Sequence, residues 1–364
     1  MSSATAQLEK NAAASVRTMN AAVYRGAGKV GVEQVPVPEI GPGELLVRVA
    51  ACGICGTDIK KIQYGFVKAP AIFGHEIAGT VVAAGEGARF RPGDRVITFH
   101  HIPCNTCFYC ERKLFSQCRT YKKVGVTAGF DPNGGGFAEF VRIMPWVVER
   151  GVVAIPQGVS FEGATFVEPV NTCLKAVEKA RVATGETVVV MGQGPIGLLL
   201  LMLSRRTGAT VLTSDPMPAR RARSIQSGAL VSVDPQAGSL ADEVRTRTAG
   251  RGADAVLLAV PSPALVPDAL ALARPGGRVL LFAHNDPQMR LEFPAAAVGV
   301  EEKEILGSYS AAVDRQAESA RIVFERQLPL AELITHRFPL AEIGQALELA
   351  ARPAGDSLKV VVTP

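Results

Sequence analysis

Residues 187–206 read TVVVMGQGPIGLLLLMLSRR: a β-branched run, a glycine turn, then an almost wholly apolar segment. A strand without polar alternation must be covered on both faces, which is the situation of a parallel sheet flanked by helices. The stretch that follows keeps the rhythm. TVLTSD reads as a strand, ARRARSIQSGA as a helix, and ADAVLLAV and GRVLLFA as further strands. Strands alternating with helices imply βαβ units on a doubly wound parallel sheet.

The texture before this point is different. From about Met19 to Ala180 short strands (AAVYR, LLVRVAACG, IAGTVVAAG, DRVITF, GGFAEFVRI) are punctuated by turns such as Gly41-Pro42-Gly43 and Arg91-Pro92-Gly93. Such spacing reads as a barrel-like all-β domain. After Gly307 come two helical stretches, AAVDRQAESARIVFERQ and LAEIGQALELAA, and a last strand, LKVVVTP, which is expected to return to the first domain and pair there. A chain of 364 residues exceeds the usual single domain. The expected fold is therefore α/β: a β-barrel domain over 19–175 and 316–364, and a parallel-sheet domain over 176–315.

Charge excludes some partners. The net charge of +5 comes from scattered pairs such as Lys60-Lys61, Lys122-Lys123 and Arg220-Arg221, with no block of like charge. Neither nucleic acid nor a membrane surface is expected as a partner. The longest apolar run, Ile196 to Leu203 broken by Gly197, is far short of the ~20 residues that span a bilayer. Residues 1–18 are small and polar without a signal-peptide core, so a disordered tail on a cytoplasmic protein is expected. In a reducing compartment, four cysteines crowded together suggest metal rather than disulfides.

Gly192-Gln193-Gly194-Pro195-Ile196-Gly197 lies between a predicted strand and a predicted helix, the context in which G-x-G-x-x-G binds a dinucleotide. Gly192, Gly194 and Gly197, with Pro195 and Ile196, let a pyrophosphate approach the free N–H groups of a helix N-terminus. Asp215 closes the next strand near the spacing of a ribose-binding acid, where a carboxylate favours NAD and repels a 2′-phosphate. A helix cap before Pro216 is the plainer role for Asp215. Arg220 and Arg221 keep NADP as the alternative.

Cys104, Cys107, Cys110 and Cys118 follow C-x2-C-x2-C-x7-C. Four thiolates saturate a tetrahedral zinc, so this site is read as structural. An iron–sulfur cluster is disfavoured because Cys118 lacks the following proline of the bacterial ferredoxin run. A second set is dispersed: Cys55 in CGICGTD, His75 and Glu76 in GHE, Glu168 in FVEPVN. Glu168 lies in an apolar stretch, where an unpaired carboxylate is costly. Thiolate, imidazole and carboxylate are the ligands of zinc sites that keep one position open. Asp58 is placed to accept from the second nitrogen of His75. Cys52 and Cys173 read as small buried hydrophobes, and His100-His101 as loop or cleft lining.

Taken in order, CGICGTD, GHE, the four-cysteine lobe, EP and GQGPIG resemble the zinc-dependent medium-chain dehydrogenase/reductase superfamily, nearest its sorbitol and threonine dehydrogenase branches. The resemblance spans residues 19–364. It implies a GroES-like catalytic domain beside a Rossmann domain, with the active site in the cleft between them. It implies two zinc ions per chain, the catalytic one held by Cys55, His75 and Glu168, with Glu76 coordinating directly or exchanging with water. It also implies that Thr57 takes the substrate proton, that Thr172 lies near the nicotinamide and Arg220 beside the adenosine ribose, and that the protein is a homodimer or homotetramer. Lys60 departs from the pattern, standing where the family commonly has the histidine that ends the proton relay. The expected activity is NAD-dependent oxidation of a secondary alcohol in a polyol, sugar or similar polar molecule. An amino alcohol such as threonine is the nearest alternative. A zinc-free enone reductase and a non-catalytic dinucleotide-binding protein are the more distant ones.

Overall fold

A computed structural model describes residues 18–121, 123, 125–130, 134–282 and 290–364. The expectation of a disordered tail falls on 1–17, outside the described residues, apart from Thr18. That residue is not tail: it opens the first strand and pairs with Pro36.

The strands are, in order, β1 (Thr18–Gly26), β2 (Lys29–Pro36), β3 (Leu45–Gly53), β4 (Ala71–Ile72), β5 (Glu76–Ala84), β6 (Arg95–Thr98), β7 (Val126–Thr127), β8 (Phe140–Ile143) and β9 (Val152–Ala154). Six more follow: β10 (Thr187–Met191), β11 (Thr210–Ser214), β12 (Val231–Val233), β13 (Ala253–Leu258), β14 (Ala273–Leu281) and β15 (Glu304–Gly307). The chain ends on β16 (Ile334–Pro339) and β17 (Lys359–Thr363).

Two compact units result, one running to Glu168 and resuming at Ala312, the other covering Pro169–Ala311. In the first, β2-β1-β4 form a small antiparallel sheet, and β16-β17-β3-β5-β6-β9 form the path of a larger one that β8 and β7 join beside β3. β3 is its hinge element. One edge pairs with β5 along its length, while the other is shared by β8 at the start and by β17 at Cys52 and Gly53. The last strand does return to the first β domain, as expected, and pairs parallel with β16. Strand β2, with a mostly exposed face, is an element that its weak apolar pattern did not announce.

The second unit is a six-stranded sheet in the order β12-β11-β10-β13-β14-β15, every pair parallel. Its central strands bury Val189, Met191, Leu212, Val256, Leu258 and Val279 in one cluster. Leu198 to Leu203 of the helix Pro195–Arg206 are all buried, so this helix is covered nearly all round. Each such side chain contributes roughly 1.5–3 kcal/mol of burial, which fixes the glycine turn between β10 and that helix.

Candidate active site and metal centres

Strand β3 stops at Gly53, and two residues on Cys55 caps the helix Gly56–Tyr64. The Thr57 N–H donates to Cys55 Sγ at 3.4 Å, and the Cys55 N–H donates to Asp58 Oδ2 at 3.1 Å. This is a capping box with sulfur in the place of the usual hydroxyl. The other oxygen of Asp58 accepts from the Gly74 N–H and lies 3.0 Å from His75 Nδ1. Burial pushes Asp58 up, but His75, Lys61 and the Cys55 N–H outweigh it and hold the carboxyl below its ordinary value. An ionised carboxylate only accepts, so Nδ1 is assigned a proton. With no cation beside it, burial pulls the imidazole down, but Asp58 and Cys55 outweigh this and hold it well above its ordinary value.

Cys55, His75 and Glu76 each bring a ligand atom within 4.8 Å of the other two. Glu168, in the first turn of the helix Val167–Lys179, does not lie within that distance of all three. It is nonetheless buried and electrically coupled to His75 and Glu76. Burial lifts its pKa to about 7; His75 pulls it down, Glu76 pushes it up, Lys359 pulls it down and Asp58 pushes it up. A thiol, an imidazole and two carboxylates in one small volume are the donor types of a zinc site that keeps a position open. The donor set fits zinc.

One residue of this shell gave no sequence signal. Lys359, at the start of β17, is buried, ion-paired with Glu76 and donates from Nζ to Ile54 O at 3.0 Å. Burial pulls its pKa down, but Glu76 and Cys55 more than reverse this and hold the ammonium above its ordinary value. The two loop histidines prove to be packed rings. His100 stacks 4.7 Å from His75, His101 3.9 Å from His100, and Tyr121 5.2 Å from His101, centroid to centroid. Neither joins a metal-binding cluster among the described residues. Lys60 is half-buried, its pKa lowered by burial and only partly restored by Cys55. Cys52 and Cys173 are fully buried, as small hydrophobes would be.

The four-cysteine lobe closes on itself. Sulfur–sulfur separations are 3.5 Å for Cys118–Cys104, 3.6 Å for Cys107–Cys110 and 3.9 Å for Cys104–Cys110, too long for disulfides. Hydrogen bonds from Thr106 hold Cys104 down to about 5, whereas burial and the facing thiols push Cys110 up to about 12. The four sulfurs lie close enough to share one ion, and four thiolates fill a tetrahedral zinc. Phe115, Tyr121 and Ala312 pack behind the sulfurs.

In the second unit the glycine loop is tight for identifiable reasons. Gly192 has φ +91°, and a Cβ at Gly197 would fall 1.8 Å from Gly192 O. Gly194 caps the helix and Pro195 is its first residue, with Ile196 next. Gln193, a spacer in the motif, is fully buried and pins the loop through Nε2 to Val190 O and Gly192 O. Asp215 follows β11. Its Oδ2 accepts from the Gln193 N–H at 2.7 Å and its Oδ1 from the Met217 N–H at 2.8 Å, so it braces both the loop and the next helix. Arg220 lies 3.6 Å from where a Gly194 Cβ would be. Arg221 uses Nη1 to reach Asp215 O, Pro216 O and Asp234. Thr172 is buried, its hydroxyl donating to Pro169 O at 2.9 Å.

Two family models match the chain: the alcohol dehydrogenase GroES-like domain over residues 41–157 and the zinc-binding dehydrogenase over 195–325. The L-threonine 3-dehydrogenase of Symbiobacterium thermophilum is 32% identical, covering 92% of this chain and 94% of its own. The chain belongs to the zinc-dependent medium-chain dehydrogenase/reductase superfamily. The D-altritol 5-dehydrogenase of Agrobacterium fabrum is likewise 32% identical, over 89% of this dehydrogenase and 94% of its own length. A zinc-binding dehydrogenase of Sinorhizobium meliloti, solved bound to NADP, matches with a TM-score of 0.86 at 30% identity, covering 95% of this chain and 99% of that one. This dehydrogenase is thus an oxidoreductase that uses zinc and a dinucleotide to act on a small alcohol. Among its described residues no helix is long and apolar enough to cross a membrane.

Proposed function

We propose that this dehydrogenase oxidises a secondary alcohol within a polyhydroxylated or similarly polar molecule, with NAD as the acceptor. The observation that carries the reading is the gathering of Cys55, His75 and Glu76 within 4.8 Å, with Asp58 behind His75 and Glu168 buried nearby. Cys55, His75 and Glu168 would hold the catalytic zinc, with Glu76 beside it, and Cys104, Cys107, Cys110 and Cys118 a second, structural one. Bound there, zinc supplies a Lewis acid for the alcohol oxygen, and the dinucleotide supplies the hydride acceptor.

The chain's own residues do the rest. Asp58 holds the Nδ1 proton of His75, so that Nε2 would give its lone pair to a metal bound there. Thr57, anchored through its N–H to Cys55 Sγ, would relay the substrate proton, its hydroxyl oxygen accepting it as its own O–H proton passes on toward the cofactor ribose and solvent. Gly192, Gly194, Pro195, Ile196 and Gly197 receive the pyrophosphate, Asp215 and Arg220 the adenosine ribose, and Thr172 the nicotinamide end.

Two features support the substrate class. A pair of carboxylates beside the metal site is a hard, oxygen-rich surrounding that suits neighbouring hydroxyls. The names of the threonine and altritol relatives both place their reaction on an interior carbon, which bears a secondary hydroxyl. The gathering of Cys104, Cys107, Cys110 and Cys118 as a metal-binding set supports a reducing, cytoplasmic setting. A homodimer or homotetramer belongs to the same proposal. The test is metal removal followed by restoration. A chelator that strips zinc should abolish NAD-linked oxidation of polyols, and added zinc should return it; activity that survives complete stripping refutes the reading.

A further inference from the structure

The register of three neighbouring strands brings one glycine and two charges together. Gly53 of β3 pairs with Glu76 of β5 on one side and with Val361 of β17 on the other. Lys359 stands two residues before Val361, on the same face of its strand. A Cβ at Gly53 would fall 2.0 Å from Glu76 Oε2, 2.7 Å from Lys359 Cε and 3.0 Å from Lys359 Nζ. The Glu76–Lys359 pair therefore occupies the room that a side chain at position 53 would take. The same ammonium donates to Ile54 O, the carbonyl immediately before Cys55.

Charge gives this arrangement a purpose. Cys55 as thiolate with Glu168 and Glu76 as carboxylates carry three negative charges, and a divalent cation cancels two. Lys359 cancels the third. Asp58 is a separate matter, served by His75, two backbone N–H groups and Lys61. Glu76 is close enough to Cys55 and His75 to bind the same cation. An anionic oxygen competes well for a hard coordination position unless another cation holds it.

We propose that Lys359 is a positioning residue for the metal centre: by pairing with Glu76 it keeps that carboxylate out of the open coordination position, which is left to the alcohol oxygen. The proposal rests on reading Cys55, His75 and Glu168 as the zinc ligands. Its experiment separates the two. Cobalt(II) replaces zinc in the wild type, K359M, K359R, E76Q and the K359M/E76Q double variant. The visible d–d bands are recorded with and without a polyol substrate, beside kcat/KM with NAD and the rate of metal loss to a chelator.

Wild-type and K359R bands should shift when the polyol is added. In K359M the bands should be unresponsive to the polyol, metal loss slower, and kcat/KM lower by about ten-fold or more, the scale of a disturbed outer-shell partner. Removing the competing carboxylate should undo this, so the double variant should respond to polyol and match E76Q alone. K359M leaves a buried carboxylate without its counter-ion and is the variant most exposed to misfolding. If it does not fold, the comparison of the double variant with E76Q decides: equality supports the proposal, and a double variant ten-fold worse overturns it. Wild-type bands and activity in K359M overturn it as well. A wild-type protein that takes up no metal at Cys55 overturns the zinc reading itself.

Discussion

Asp58 Oδ1 lies 3.0 Å from His75 Nδ1, and its second oxygen accepts from the Cys55 backbone, so one buried carboxylate orients two residues of the metal cluster. Asp58→Asn keeps the size and loses the charge. Outer-shell changes of this kind cost about 10–100-fold in metal affinity, and a competitive chelator titration should show a loss of that order. Affinity equal to wild type would mean that His75 is held by packing alone.

The two metal centres should separate by mutation. Cys107→Ser removes one of four thiolates from a lobe that has only Phe115, Tyr121 and a few neighbours as its core. It should lose one of two zinc ions and lower the unfolding temperature, because local folding and metal binding are coupled. Cys55→Ser should lose the other ion and the activity while its unfolding temperature stays near wild type. Elemental analysis with a thermal scan checks both. A single zinc per chain in the wild type would contradict the assignment.

Cofactor choice should rest on Asp215 rather than on the paired arginines. The carboxylate sits between the glycine loop and the next helix, where a 2′-phosphate meets like charge, and Arg221 is tied to Asp234 at 3.0 Å. Wild-type kcat/KM should favour NAD over NADP. Asp215→Ser should narrow the ratio by about ten-fold, some 1.4 kcal/mol, whereas Arg221→Ala should leave it unchanged. A wild type faster with NADP would place the arginine field above the carboxylate.

What the sequence made legible was local. The glycine loop and the four cysteines announce themselves because their chemistry requires fixed short spacings, and the buried β10 strand because it lacks polar alternation. Cys55, His75 and Glu76 are individually ordinary; their order along the chain made them readable as a set. Lys359 escaped because the groups it serves are brought to it by strand register alone: Ile54, which takes its hydrogen bond, is 305 residues away in sequence. A lysine opening a terminal strand looks like a solvated end. Gln193 escaped for a different reason, since the motif treats it as a spacer while the fold buries it beneath the loop.

The two carboxylates Glu76 and Glu168 beside the Cys55–His75 centre are the basis for proposing that this zinc dehydrogenase is built for a secondary hydroxyl among other hydroxyls. The most direct measurement is kcat/KM with NAD for polyols and vicinal diols against primary alcohols of matched length, on zinc-replete enzyme. We predict that interior hydroxyls win by at least about ten-fold, or 1.4 kcal/mol of transition-state preference. Short primary alcohols winning by the same margin would contradict it.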